Sequence, residues 1–358
     1  MDALPATERR GEEFRDDLRP AGPAGSGNAA ARRILSADEL APLTRLNDLR
    51  SAGAVALSFG VIAAAIGLGI VQWGTPWVLL SVLVVGVQQH GLFILAHESA
   101  HYRLFAQRGV NDAVGRAIGM ISGISMCTYR VVHRLHHNNL YTADDPDTAI
   151  HGGYPRGVAY LLRKLAQDLV GWNAWKTYAY FFGAPAINDA TGRAARPLDD
   201  TSAQLRAAAR ADRRAVIALQ LGLPLMLLLL AGWQGLAMYA VLWLLPILTV
   251  LQPILRLRAI CEHGAVTDLS SPLTAARTNR TWGTPLNWLG RALIFPHHVN
   301  HHLEHHLYPA VPHYHLRRLH RLLLAKGALE GAQVRDLADT LRCIFAERSA
   351  ASIRSALP

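Results

Sequence analysis

Two stretches without a single charged residue limit what this chain can fold into. From Ser51 to His97 there is no Asp, Glu, Lys or Arg, and from Ala215 to Leu255 there is none either. A helix needs about 20 apolar residues to cross the hydrocarbon core of a bilayer. Each stretch is about twice that length and reads as two helices joined by a short turn. "WGTP" (Trp73–Pro76) interrupts the first and "GWQG" (Gly232–Gly235) the second, both built from residues that punctuate helices. The pattern predicts spans near 52–72, 77–96, 215–232 and 236–256. Buried hairpins of a soluble protein are the competing reading. Runs such as "LPLMLLLLAGW" and "LLPILTVLQPIL" lack a polar face, which argues against one-sided burial.

The formal charge of +10 invites a nucleic-acid reading, but its placement points to a membrane. Arg45 and Arg50 precede the first span, and Arg103 and Arg108 follow the second. Arg210, Arg213 and Arg214 precede the third, and Arg256 and Arg258 follow the fourth, while the two turns carry no charge. Basic residues collect on the cytoplasmic side of membrane proteins. Both termini and the long middle segment are therefore expected in the cytoplasm. Residues 1–44 read as a mostly disordered tail, and 326–358 as a C-terminal cytoplasmic helix or tail. Within the middle segment, 157–183 carries Trp172, Trp175, Tyr178 and Tyr180 and reads as an interfacial helix or an ordinary core helix. Three cysteines, Cys127, Cys261 and Cys343, show no paired spacing, which disfavours a disulfide framework or thiol chemistry.

The chemistry lies in the histidines, 17 in all. "HESAH" holds His97 and His101, and "HRLHH" holds His133, His136 and His137. "CEHG" holds His263, and "HHVNHHLEHH" holds His297, His298, His301, His302, His305 and His306. Residues three and four apart share one face of a helix, so each cluster presents several ring nitrogens together. "HESAH" alone fits a zinc protease helix. Three clusters and a further histidine exceed what one catalytic zinc takes, usually three protein ligands. Eight or nine neutral imidazoles suit two borderline metals, with iron the natural choice for oxygen chemistry. With four spans, every cluster falls on the same side of the membrane.

These motifs resemble the three histidine boxes of the membrane fatty acid desaturase and hydroxylase superfamily. "NHHLEHHLYPAVP" is similar to its third box, "RAICEHGA" to the histidine segment after its last membrane helix, and "YTADDPDT" to the acidic stretch after its second box. The resemblance runs from about Arg45 to about Leu323. It implies an all-α integral membrane protein, with four transmembrane helices in two hairpins and a cytoplasmic helical cap carrying the boxes. The domain is expected over 45–325. The resemblance further implies two iron ions, O2 as co-substrate and a lipid acyl chain as substrate. The implied ligands are His97, His101, His133, His136, His137, His263, His302, His305 and His306. The chain departs from the commoner pattern at His301. His298, four before His302, is a further candidate if the helix extends that far.

Four residues are expected beside the ligands. Metal-bound histidines commonly donate their second N–H to a carboxylate, and Asp144 or Asp145 is placed to accept it, unless "DPD" merely builds a turn. Glu98 and Glu304 point off the metal face, as neighbours of the ligands or as surface partners of arginine. His90 either lines a substrate path or is a satisfied bundle histidine. His151, His313, His315 and His320 read as surface residues. No stretch resembles a fused cytochrome b5 domain, so electrons are expected from a separate carrier of ferredoxin, rubredoxin or cytochrome b5 type. Arg317, Arg318 and Arg321 offer such a carrier a basic face, or simply face headgroups and water. The nearest alternative is hydroxylation of a fatty acyl, carotenoid or other hydrophobic substrate at the same site. More distant are an intramembrane zinc protease and a non-enzymatic metal or lipid carrier.

Overall fold

The computed structural model describes residues 34–142, 144–184, 186–187, 194–195, 197–199, 201–266 and 271–347, and most of these are helical. Of the segment expected as a disordered tail, 1–33 lies outside the described residues, whereas Ala37–Thr44 forms a helix, α1. Its start is encoded locally. The Ser36 hydroxyl accepts from the Glu39 amide, and the Glu39 carboxylate accepts from the Ser36 amide, a reciprocal cap.

The first charge-free stretch gives α2 (Asp48–Val71) and α3 (Val78–Ala100). Asn47 caps α2 by accepting from the Arg50 amide at 3.0 Å. Their outer faces differ. α2 leaves Leu57, Leu68 and Val71 exposed, a surface suited to lipid. α3 is buried without a break from Gln89 to Ala100, so it enters the protein interior and carries His97 with it.

The second stretch lies within a third long apolar element, Ala203–His263. It comprises α8 (Ala203–Tyr239), a π-helical turn at Ala240–Leu244, a short turn at Leu245–Leu248 and α9 (Leu251–His263). The element is not straight. Gly232 has φ 63 and ψ −157, a conformation open to glycine without a steric penalty. Beyond it, the Tyr239 hydroxyl donates to Gln220 Oε1 at 3.4 Å. In an unbroken helix those residues would stand roughly 28 Å apart, so the chain doubles back at the "GWQG" turn. Among the described residues, α2, α3 and this element are the three long enough and apolar enough to cross a membrane. The last is only 6% buried over its apolar window and needs lipid around it. It also approaches α3 closely: a Cβ on Gly86 would sit 2.5 Å from that of Val250.

Besides single turns at Thr148–His151 and Pro272–Ala275, the remaining helices among the described residues are α4 (Arg108–Ser122), α5 (Met126–Asn139), α6 (Val158–Leu169), α7 (Ala174–Phe181), α10 (Pro285–Leu293), α11 (His302–Leu307), α12 (His313–Ala325) and α13 (Leu337–Phe345). The aromatic segment 157–183 is two helices, not one, because the chain turns at Gly171, φ 76, and Trp172 and Trp175 remain exposed. Ser125 caps α5 through the Thr128 amide. A short parallel pairing of 278–280 with 334–336 brings α13 back into the protein. Leu337 and Ile344 pack with Ile94, Ile260 and Phe295, so the described part of the C-terminal segment belongs to the core around the histidines.

Candidate metal centre

Four helices deliver the histidine clusters to one place. α3 carries His97 in its last turn with His101 as its C-terminal cap, α5 carries His133, His136 and His137, α9 ends in His263, and α11 carries His302, His305 and His306. Their ring nitrogens form two groups: His97, His101, His133, His137 and His305 in one, and His136, His263, His302 and His306 in the other. Within each group the nitrogens lie within 4.8 Å of one another. The groups adjoin, with His137 and His306 stacked at 4.1 Å between ring centroids.

The spacing has a chemical meaning. In the first group Nε2 atoms face each other at 2.8 Å (His133 and His101), 3.1 Å (His137 and His133) and 3.1 Å (His305 and His137). In the second they do so at 3.2 Å (His136 and His263), 2.8 Å (His302 and His263) and 3.1 Å (His306 and His302). Nitrogens about 2.1 Å from a metal and at right angles stand roughly 3 Å apart. A neutral imidazole has one N–H. His136 spends its Nδ1–H on the Asp145 carboxylate at 2.9 Å, and His263 spends its own on the Ala275 carbonyl at 3.1 Å. A bound metal would take both rings in the neutral form, with their facing Nε2 lone pairs turned to it. Both ring nitrogens of His97 are buried without a hydrogen-bond partner, a costly state that a bound metal relieves. This donor set fits metal ions that accept imidazole.

The surroundings orient the rings. Asp145 is buried and Asp144 exposed, so Asp145 is the partner of the second cluster. Its Oδ2 also accepts from the Tyr141 amide at 3.0 Å. Burial raises the Asp145 carboxyl, but the charge and hydrogen bond of His136 outweigh it and hold the group well below its ordinary value. Burial likewise lowers His136, while Asp145, Asp147 and Glu262 prevail and lift it to about 9, a more basic ring and a better donor. Arg277, fully buried, donates to the carbonyls of Cys261 at 2.9 Å and Gly264 at 3.0 Å. The Tyr141 hydroxyl donates to the His263 carbonyl. Together they close the C-terminus of α9, where unpaired carbonyls concentrate negative charge. The Arg258 guanidinium holds Glu262 at 2.8 Å, and the other Glu262 oxygen lies 3.5 Å from His302 Nε2.

Several expectations need correction. His298 does not share a face with His302. Residues 296–298 form a 3-10 turn, His297 and His298 have φ of 52 and 61, and α11 starts only at His302. His301 stands apart from both groups, in a buried set with Glu304 and His320. Glu304 is no surface residue. It accepts from His320 Nδ1 at 2.5 Å and from the Thr278 hydroxyl, which anchors α11. Glu98 is also buried. It accepts from the His313 amide at 2.9 Å, and its other oxygen is 3.4 Å from His97 Nδ1. His90 Nε2 donates to the Ile294 carbonyl at 2.9 Å. His151, His313 and His320 are buried, not at the surface; His151 Nε2 lies 3.5 Å from Asp145 Oδ2. Arg277 and Thr278 carried no motif, and Tyr141 stood in "YTADDPDT" without a role of its own. Only the run of polar residues in "AARTNRT", out of place near a core, pointed towards the first two.

Comparison with known proteins decides the family. Residues 30–337 match the family described as fatty acid desaturase. The chain belongs to the fatty acid desaturase family. A curated relative, a Delta(8)-fatty-acid desaturase of Helianthus annuus, is 32% identical over 90 residues, 24% of this chain and 20% of the relative. The match thus spans about a fifth of that relative's length. A desaturase-family chain with three such apolar elements is an integral membrane protein. The protease reading of "HESAH" loses its ground. His97 and His101 belong to a group of five, and Glu98, the base such an enzyme needs, is held by the His313 backbone.

Proposed function

We propose that this protein is a membrane di-iron, O2-dependent enzyme that desaturates a lipid acyl chain. The observation that carries the reading is the pair of adjoining groups, five imidazoles mostly buried and four wholly buried, in a desaturase-family chain. The proposed ligands are His97, His101, His133, His137 and His305 for one iron, and His136, His263, His302 and His306 for the other. When bound, the two irons would supply the oxidising power to remove hydrogen from an unactivated carbon. The chain's own residues do the rest. Asp145 and the Ala275 carbonyl hold the Nδ1 protons of His136 and His263 and so fix which nitrogen each ring presents. Glu304, clamped by Thr278 and His320, holds α11 in register. Leu92, Leu95 and Ala96, fully buried on the α3 turns leading into His97, keep water from the site.

In this reading the chain crosses the membrane four times, with the doubled-back element Ala203–His263 contributing two crossings. The domain spans 45–325, and the cap, both termini and the site face the cytoplasm. The basic flanks of the spans support that orientation. Electrons come from a separate carrier. The test is lipid profiling of membranes with and without the protein, coupled to metal analysis. A product lighter by two mass units, with about two irons per chain, is expected. A gain of 16 would assign hydroxylation instead, and one zinc without iron after iron-replete expression would refute the di-iron centre.

A further inference from the structure

A second polar cavity lies beside the metal centre, and neither the ligand set nor the family assignment accounts for it. It has a volume of about 250 Å³ and is lined by Arg291, Phe295, His297, His298, His313 and Tyr314. Its polar walls come from α10, the 296–298 turn and the start of α12. It reaches the membrane helices: His297 Nε2 lies 3.3 Å from the Ser58 hydroxyl on α2 and would meet a Cβ on Gly91 of α3 at 3.5 Å. Gly91 is six residues before His97, roughly 9 Å along the helix.

We propose that this cavity binds the anionic end of the lipid substrate, a carboxylate or a phosphate. Three independent observations carry this. First, among the described residues that line it, every ionisable side chain is a potential cation or a phenol, and no carboxylate contributes. Arg50 adds a guanidinium over the Tyr314 ring. The nearest acid, Glu98, already accepts from the His313 backbone amide. Second, His313 is 5% exposed, and neither of its ring nitrogens makes a hydrogen bond of normal geometry, although a backbone group of His297 lies near the ring. A buried polar group without a partner is costly, and a ligand oxygen entering the cavity supplies the acceptor. Third, His297 and His298 are successive left-handed residues without being glycine. Such strained backbone concentrates at ligand clamps. It turns both imidazoles towards the cavity and away from the metal-ligand helix. Glu98 touches both sites, holding the His313 amide and lying 3.4 Å from His97 Nδ1, so an occupied cavity sits one side chain from a proposed iron ligand.

The inference rests on the lipid-acyl reading for its substrate but is tested by binding, which needs no turnover. Purified full-length, iron-loaded protein in detergent is equilibrated with radiolabelled oleate, dioleoyl phosphatidate or methyl oleate. At least one anionic lipid should be retained five- to tenfold more tightly than the neutral ester, and the tighter of the two identifies carboxylate or phosphate as the partner. Arg291→Gln combined with His313→Gln should abolish that preference with iron content unchanged, and Arg291→Lys should keep it. Arg291 is exposed, so its single substitutions spare the fold if the double variant does not express. Arg291→Gln alone should then lower the preference at least threefold. Equal binding of all three lipids, or a preference that survives loss of Arg291 and His313, overturns the inference. Selective binding with no oxidised product would instead remove the desaturase reading and leave the anion site standing.

Discussion

Replacing Asp145 by Asn changes one charge and almost no volume, and the structure says what that charge does. The Asp145 carboxylate accepts from His136 Nδ1 and from the amides of Tyr141 and Asp147 at 2.9–3.0 Å. An asparagine oxygen can replace one of these acceptors but leaves an amide NH2 facing donors. The ring of His136 then loses the charge that fixes its tautomer and raises its basicity. Loss of such an outer partner typically costs 10–100-fold in metal affinity or activity, which at about 1.4 kcal/mol per decade is about 1.4–2.7 kcal/mol. Asp144, one residue earlier and exposed, serves as the internal control. Iron retention against a graded chelator should fall 10–100-fold for Asp145→Asn and less than twofold for Asp144→Asn, with lipid oxidation following the same order. An Asp145→Asn protein that holds iron as well as the unaltered chain, or an Asp144→Asn protein that fails equally, would refute the assignment of Asp145 as the partner that orients His136.

Three further outcomes are expected. His263→Ala should abolish lipid oxidation and lower the iron content to one per chain or less while the protein stays in the membrane; near-normal product would remove His263 from the ligands. Reporter fusions at Met1 and Pro358 should both read cytoplasmic, and opposite sides would require an odd number of crossings. In the metal-free protein, burial first and mutual repulsion second hold His133, His137, His302, His305 and His306 well below their ordinary value. The unfolded chain titrates them near 6.5 and so binds more protons below that pH. The contribution of these five should therefore be complete above about pH 6.5 and fall as the pH drops below it, against the single opposite contribution of His136, raised to about 9; a melting temperature unchanged between pH 7.5 and 5.5 would contradict this.

The histidine clusters could be picked out of the sequence because helical spacing is a local property, and the resemblance to the histidine boxes supplied the nine proposed ligands. The turns "WGTP" and "GWQG" were legible for the same reason, since glycine and proline act on their own neighbours. The errors fall where packing between distant segments decides. Nothing local separates Asp144 from Asp145, and only the fold buries one of them. The expectation for His298 assumed a helix running back from His302, whereas the left-handed pair His297 and His298 ends that regularity. His313 and His320 looked like surface residues on an arginine-rich helix, yet α12 turns them against Glu98 and Glu304. Arg277 closes the carbonyls behind His263 from a segment without any motif, a role visible only when α9 and the 275–278 segment are side by side.

The order in which the histidines occur along the chain has a consequence for biogenesis. The constellation draws on residues from His97 to His306, and each nitrogen group needs a histidine from α11, which begins at His302, 205 residues after His97. Chains fold from the N-terminus as they are made, so neither nitrogen group can be complete while the earlier helices insert into the bilayer. At that stage "HESAH" and "HRLHH" are half-sites open to whichever cation arrives first. On the proposed ligand set, metallation would wait for α11, and truncation anywhere before His306 would leave membrane helices whose centre never closes.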